Sequence, residues 1–144
     1  MTIQNEFYKF RLPFGWKNHP AKNGKAYFEN GAGNIGLYSC AIITEKDESD
    51  ETISRSILEI QKKAYFNNKD YSWEVVTDSV LNQDALWFGT LEIYDRNKSY
   101  RIVTICITKN KVSVELNFHD YDCKEIDKSN KVSKKIFNSF KYLS

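Results

Sequence analysis

Apolar positions change their period several times along the chain, and each change marks an element. Residues 35–43 and 101–107 are apolar on both parities, the pattern of strands covered on both faces and therefore central in a sheet. Residues 111–118 alternate instead, with Val112, Val114, Leu116 and Phe118 facing one way and Lys111, Ser113, Glu115 and Asn117 the other. That alternation predicts a strand with one wet face, near a sheet edge. Between these segments the period becomes helical. Ile53, Ile57, Ile60 and Ala64 recur at one-turn spacing over residues 51–66, with Asp50 as the predicted N-cap and Asn67-Asn68-Lys69-Asp70 as the break. A closing helix is predicted over residues 129–143, with Val132, Ile136, Phe140 and Leu143 on one side and Lys128, Lys131, Lys134 and Lys135 away from it.

Turn-forming residues order the remainder. A strand over residues 6–11 ends before Pro13, and residues 17–25 read as a loop. Ala26 to Glu29 and residues 35–44 form a hairpin around Asn30-Gly31-Ala32-Gly33-Asn34, a turn rather than a phosphate loop, because no Gly-Lys-Ser/Thr follows. Strands over 72–81, 85–95, 99–108 and 111–119, joined by short polar turns, predict an antiparallel meander. The resulting fold class is α+β: a central twisted antiparallel sheet with a helix on each face, an α/β/α sandwich. Length, and the lack of repeats or linkers, make residues 1–144 a single domain.

Charge adds polarity to this picture. Lys and Arg total 21 against 19 Asp and Glu, too even a balance for a nucleic-acid surface. Glu45, Asp47, Glu48, Asp50 and Glu51 nevertheless crowd one connection, whereas the closing helix is rich in lysine. Asp50 and Glu51 are accounted for by the helix dipole, but Glu45, Asp47 and Glu48 are not. No apolar run approaches a membrane span, and the first residues lack the basic start and apolar stretch of an export signal, so the expectation is a cytoplasmic protein without membrane contact. Three cysteines, two of them within apolar strands, are expected to be reduced and unpaired.

Candidate chemistry is sparse. His119, Asp120, Asp122 and Cys123 are the densest set of potential ligands, yet they lack the paired spacing of a zinc site and the loop pattern of a calcium site. They read as a polar strand-to-helix connection, so neither metal nor cofactor is expected. His19 stands beside Pro20, and neither histidine is accompanied by a nucleophile in a strained turn. Trp87, Phe88, Tyr94 and Tyr100 cluster in adjacent strands and serve either the core or an interface.

Two motifs carry a family resemblance. Phe10-x-Leu12-Pro13-x-Gly15-Trp16 opens the chain and Phe137-x-x-Phe140-Lys141 closes it, around a hairpin, a helix, a meander and a final helix. In this order of elements the chain resembles the PsbP/Mog1-like superfamily, which includes a photosystem II extrinsic protein, a Ran-binding import factor, bacterial lipoproteins and secretion-associated chaperones. The resemblance implies binding or scaffolding without catalysis. The functional expectation is a non-catalytic protein-binding domain, of the immunity or adaptor/chaperone kind for a secreted toxin. Its candidate contact residues are Glu45, Asp47, Glu48, Trp87 and Tyr94, facing a basic protein partner. The alternative is a small-ligand module with a pocket between sheet and helix, near Trp16 or Trp87.

Overall fold

The computed structural model describes residues 1–19, 21, 24–29 and 35–143, so the turn at residues 30–34 lies outside the described residues. In chain order the elements are β1 (Thr2–Gln4), β2 (Tyr8–Arg11), β3 (Lys17–His19), β4 (Lys25–Phe28), β5 (Ile35–Ile43), α1 (Asp50–Asn67), β6 (Glu74–Gln83), β7 (Leu86–Asp95), β8 (Tyr100–Lys109), β9 (Val112–Asp120), α2 (Ile126–Asn138) and β10 (Lys141–Tyr142). Seven strands form one antiparallel sheet in the order β3-β4-β5-β9-β8-β7-β6, and β1-β2-β10 form a second, small one. The meander is present as expected: β6, β7, β8 and β9 pair in succession. Two of its turns are tight, with φ of 51° and 64° at Asp84 and Ala85 and of 50° and 65° at Asn110 and Lys111. These left-handed pairs match the twist of the flanking strands.

The expected edge position of residues 111–118 is overturned, because β9 lies inside the sheet between β5 and β8. Its polar side is not wet either. Ser113, Glu115 and Asn117 are buried and find polar partners on neighbouring elements. The Ser113 and Thr108 hydroxyls lie 2.7 Å apart, and Thr104 donates to Asn117 Oδ1 at 2.6 Å. Alternation reveals which residues are polar, not whether burial satisfies them. The reverse error occurs in β5, whose apolar end at Ile42 and Ile43 is exposed rather than covered.

Along β8 the side chains alternate between two cores. Tyr100, Ile102 and Cys106 join Leu91, Ile93 and Leu58 of α1. Val103, Ile105 and Ile107 join Ile136 of α2 and the N-terminal residues Tyr8, Phe10 and Trp16. The inner face of α1 is rotated from the predicted stripe: Ile53, Ser54 and Leu58 are buried, whereas Ile60 is 67% exposed. Leu58 lies against β7 where a Cβ on Gly89 would come within 2.6 Å of its Cδ1, so a larger residue there would have to displace the Leu58 side chain. Ser49, not Asp50, caps the helix, accepting from the Thr52 N–H at 3.2 Å. The Asp50 carboxylate instead accepts the N–H groups of Asn110 and Lys111 at 3.0 and 2.9 Å, tying α1 to the β8–β9 turn.

The predicted final helix is also shifted. α2 starts earlier because its buried side carries Ser129 and Ser133, which accept from the enclosed guanidinium of Arg101 at 2.9 and 3.2 Å. Glu92, itself partly exposed, receives the Arg101 Nε–H at 3.1 Å and pairs with the buried guanidinium. The helix stops at Asn138, where the Ser139 hydroxyl donates to Ile136 O at 2.6 Å. The chain then forms β10 against β2, leaving Phe140 outside the helix but stacked on Tyr8 at 5.8 Å. Among the described residues, no helix is long and apolar enough to cross a membrane.

Candidate binding surface

Helix α1 packs across β6, β7 and β8. The same face continues over β9, β5 and β4, and the register sets out its rows. Phe28 pairs with Gly36, Gly36 with His119 and His119 with Ile102; Tyr38 pairs with Asn117, Cys40 with Glu115 and Ile42 with Ser113. Beside the helix, a strip of Phe28, Tyr38 and Cys40 is half-buried, and Ile42 is exposed.

Aromatic rings pave one end of this strip in unbroken contact. Phe28 meets Tyr38 at 5.8 Å, and Tyr38 meets His119 at 5.1 Å. His119 stacks on Tyr121 at 5.6 Å, Tyr121 on Tyr100 at 4.8 Å, and Tyr100 lies 5.1 Å from Trp73. Phe28 reaches this row because Gly36 leaves space for its ring. The hydroxyls of Tyr38 and Tyr121 are 3.3 Å apart, and Tyr121 is 40% exposed. Boxed by these rings, His119 is held neutral, its pKa pushed down to about 4 by burial, and its Nδ1 lies 2.6 Å from the Tyr100 hydroxyl. Burial likewise raises the phenols of Tyr100 and Tyr121, so both stay protonated.

Two polar features adjoin the rings. Tyr65, Asn68, Tyr71, Trp73 and Tyr100 border a cavity of about 200 Å³, and the buried Trp73 Nε1–H has no acceptor among the described residues. Farther along the strip, the Glu115 carboxylate accepts from Gln61 of α1, from Asn117 Nδ2 at 3.2 Å and from the Cys40 thiol at 3.9 Å. Burial pushes the Cys40 thiol up to about 11 and raises Glu115 as well. Cys40 and Cys106 flank Glu115 from opposite sides, each one strand away. Two strand spacings of about 4.8 Å exceed the reach of a disulfide, and all three cysteines are free.

The predicted contact residues occupy different places. Glu45, Asp47 and Glu48 are exposed beyond the end of β5, where Lys111 Nζ comes within 3.8 Å of Asp47. Trp87 is half-buried and pairs with Thr108, at the same end of the sheet as this acidic loop. Tyr94 lies toward the other end of β7 and is buried, its hydroxyl donating to Cys123 O at 3.0 Å. It therefore serves the core connection into α2. Trp16 is core as well. The sequence reading missed Tyr38, Tyr121 and Trp73, which are far apart along the chain. The available signal was Tyr38, an aromatic within β5 on the same parity as Cys40 and Ile42. His119 and Asp120 point to opposite faces of β9, and no metal-holding group of three His, Cys, Asp or Glu side chains occurs among the described residues.

No family model matches the chain, and no curated protein matches it. Solved structures do. A cyanobacterial PsbP (CyanoP) from Synechocystis superposes with a TM-score of 0.73 at 13% identity, over 99% of this chain and 91% of that one. LpqN of Mycobacterium tuberculosis, described as involved in cell envelope biogenesis, superposes with a TM-score of 0.57 at 10% identity, over 94% of this chain and 82% of that one. Identities this low speak for architecture alone: two antiparallel sheets and two helices, arranged in the PsbP/Mog1-like fold.

Proposed function

We propose that this chain is a non-catalytic protein-binding domain, an α/β/α sandwich with α1 on one face of the large sheet and α2 on the other. Its contact surface is the strip between α1 and β5. The observation that carries this reading is the row of half-exposed rings centred on Tyr38 and Tyr121, set on one face of the large sheet. Large, rigid aromatic surfaces beside polar groups are where protein interfaces concentrate their energy. Catalysis has little support here, because the Cys40 thiol is pushed up to about 11 and His119 down to about 4, leaving neither a ready nucleophile nor a base poised near neutrality. The strip runs along β5 from the rings to the acidic loop, so a partner that covers the rings and extends along the strand meets Glu45 and Glu48. This favours a basic partner, and the role proposed is that of an immunity or adaptor protein in the cytoplasm.

The test compares the wild type with Tyr38→Ala/Tyr121→Ala and with charge reversal of Glu45, Asp47 and Glu48, each used to capture proteins from host extract. A specific partner should be retained by the wild type and weakened about thirtyfold or more by loss of the rings. Reversal of the loop should mainly slow association at low salt. Equal retention by the ring variant would overturn the assignment of this surface. The small-ligand reading has one observation in its favour at a different place from Trp16 and Trp87, the aromatic cavity with the unmatched Trp73 donor. A ligand bearing an acceptor would quench tryptophan emission in the wild type and not in Trp73→Phe.

A further inference from the structure

Glu115 poses a separate question. It is 3% exposed, and its partners Gln61, Asn117 and Cys40 are all neutral. Among the described residues it forms no ion pair. The cations of the elements around it lie elsewhere: Lys62, beside Gln61, reaches Asp78 at 3.0 Å, Lys111 turns toward Asp47, and Lys63 is exposed on α1. The titratable groups facing it are the thiols of Cys40 and Cys106 from the flanking strands and the Tyr65 phenol from α1, and none of them can carry positive charge. A carboxyl taken out of water without a counter-ion is destabilising, and an amide would make similar hydrogen bonds without that penalty.

Access to this carboxyl lies along the contact strip. Cys106 and Asn117 close it in on the sheet side, whereas Cys40 on β5 and Gln61 on α1, its neighbours toward the strip, are only half-buried. The next row of the sheet carries Tyr38. We propose that Glu115 is the acceptor for an arginine side chain of the protein partner, with the Gln61 amide holding that place in the free molecule. The amide supplies Glu115 with an N–H donor from α1, on its less enclosed side. A guanidinium offers two parallel donors and the missing charge, and its plane can lie on an aromatic ring such as Tyr38. Lysine, a compact and strongly hydrated charge, matches neither feature as well. Upward displacement of the Glu115 pKa by burial agrees with a carboxyl awaiting a cation.

This inference rests on the protein-binding reading and is tested apart from it. A hexa-arginine peptide serves as the probe, with hexa-lysine for comparison, against the full chain and Glu115→Gln. Carboxyl-carbon NMR follows Glu115 directly. Hexa-arginine should shift the Glu115 signal, lower its titration midpoint, and bind the wild type about tenfold or more tightly than Glu115→Gln, with hexa-lysine weaker on the wild type. Equal binding by wild type and Glu115→Gln, or a Glu115 signal unmoved at saturating peptide, would overturn the proposal. Should Glu115→Gln not fold, the wild-type carboxyl signal decides alone. If the ring variant loses its captured partner while Glu115 ignores arginine, the binding surface stands and only the arginine assignment falls.

Discussion

Single residues on the strip make its behaviour depend on pH. His119 titrates near 6.5 in an unfolded chain and near 4 in the fold. Between those values the unfolded chain binds more protons, so stability is full above about pH 6.5, falls as pH drops toward 4, and levels off below. The loss should be on the order of 2 kcal/mol, below what the whole shift would give because the ring is only partly enclosed. Glu115 works in the opposite sense. Its raised pKa means the folded chain holds the proton longer, so its contribution declines as pH rises past the ordinary carboxylate range. Urea denaturation between pH 4 and 7 should show the acid limb flattened in His119→Gln, which keeps an acceptor for Tyr100 while removing the titration. An unchanged limb would mean that water already reaches the imidazole freely.

At the scale of elements, two of the contacts that hold the helices to the large sheet can be probed separately. Gly89→Ala should be destabilising by about 1–3 kcal/mol through the clash with Leu58. Leu58→Ala in the same chain should remove most of that coupling in a double-mutant cycle. Arg101→Met should cost about 1–3 kcal/mol, because Ser129, Ser133 and Asn130 of α2 would lose their donor and the partly exposed Glu92 its cation. A loss below 1 kcal/mol in denaturant would show that the serines of α2 contribute only packing. These contacts also mark the limit of what the sequence makes legible. The meander, β5 and α1 are readable because long periodic runs outweigh local exceptions. The strands β1, β3 and β10 are two to three residues long, and such strands exist only because a partner elsewhere in the chain receives their hydrogen bonds. The inward serines of α2 look like a solvated face until Arg101 is placed against them. The contact strip is hidden for the same reason, since its rings come from six separate elements or connections and only the fold brings them into a row.

For the molecule as a whole, the pairing of β5 with β9 sets an order of events. Residue 35 pairs with residue 120 and residue 43 with residue 112, whereas β6 through β9 are joined successively by short turns. Closing a long loop must precede any gain from the β5 contacts, while each hairpin of the meander forms at small entropic expense. The sheet should therefore nucleate in the meander and acquire β5 late, at rates in the millisecond-to-second range typical of non-local topologies. Stopped-flow chevrons should give Ile105→Val a high φ-value and Leu37→Ala a low one; the reverse ranking would place the nucleus at the β5–β9 seam. Late arrival of β5 has a further effect. Until it docks, the outer edge of β9 is an unpaired strand bearing Val114, Leu116 and Phe118, open to strand addition by another chain. The refolding yield should then fall with protein concentration, and fall more steeply for variants that slow the docking of β5.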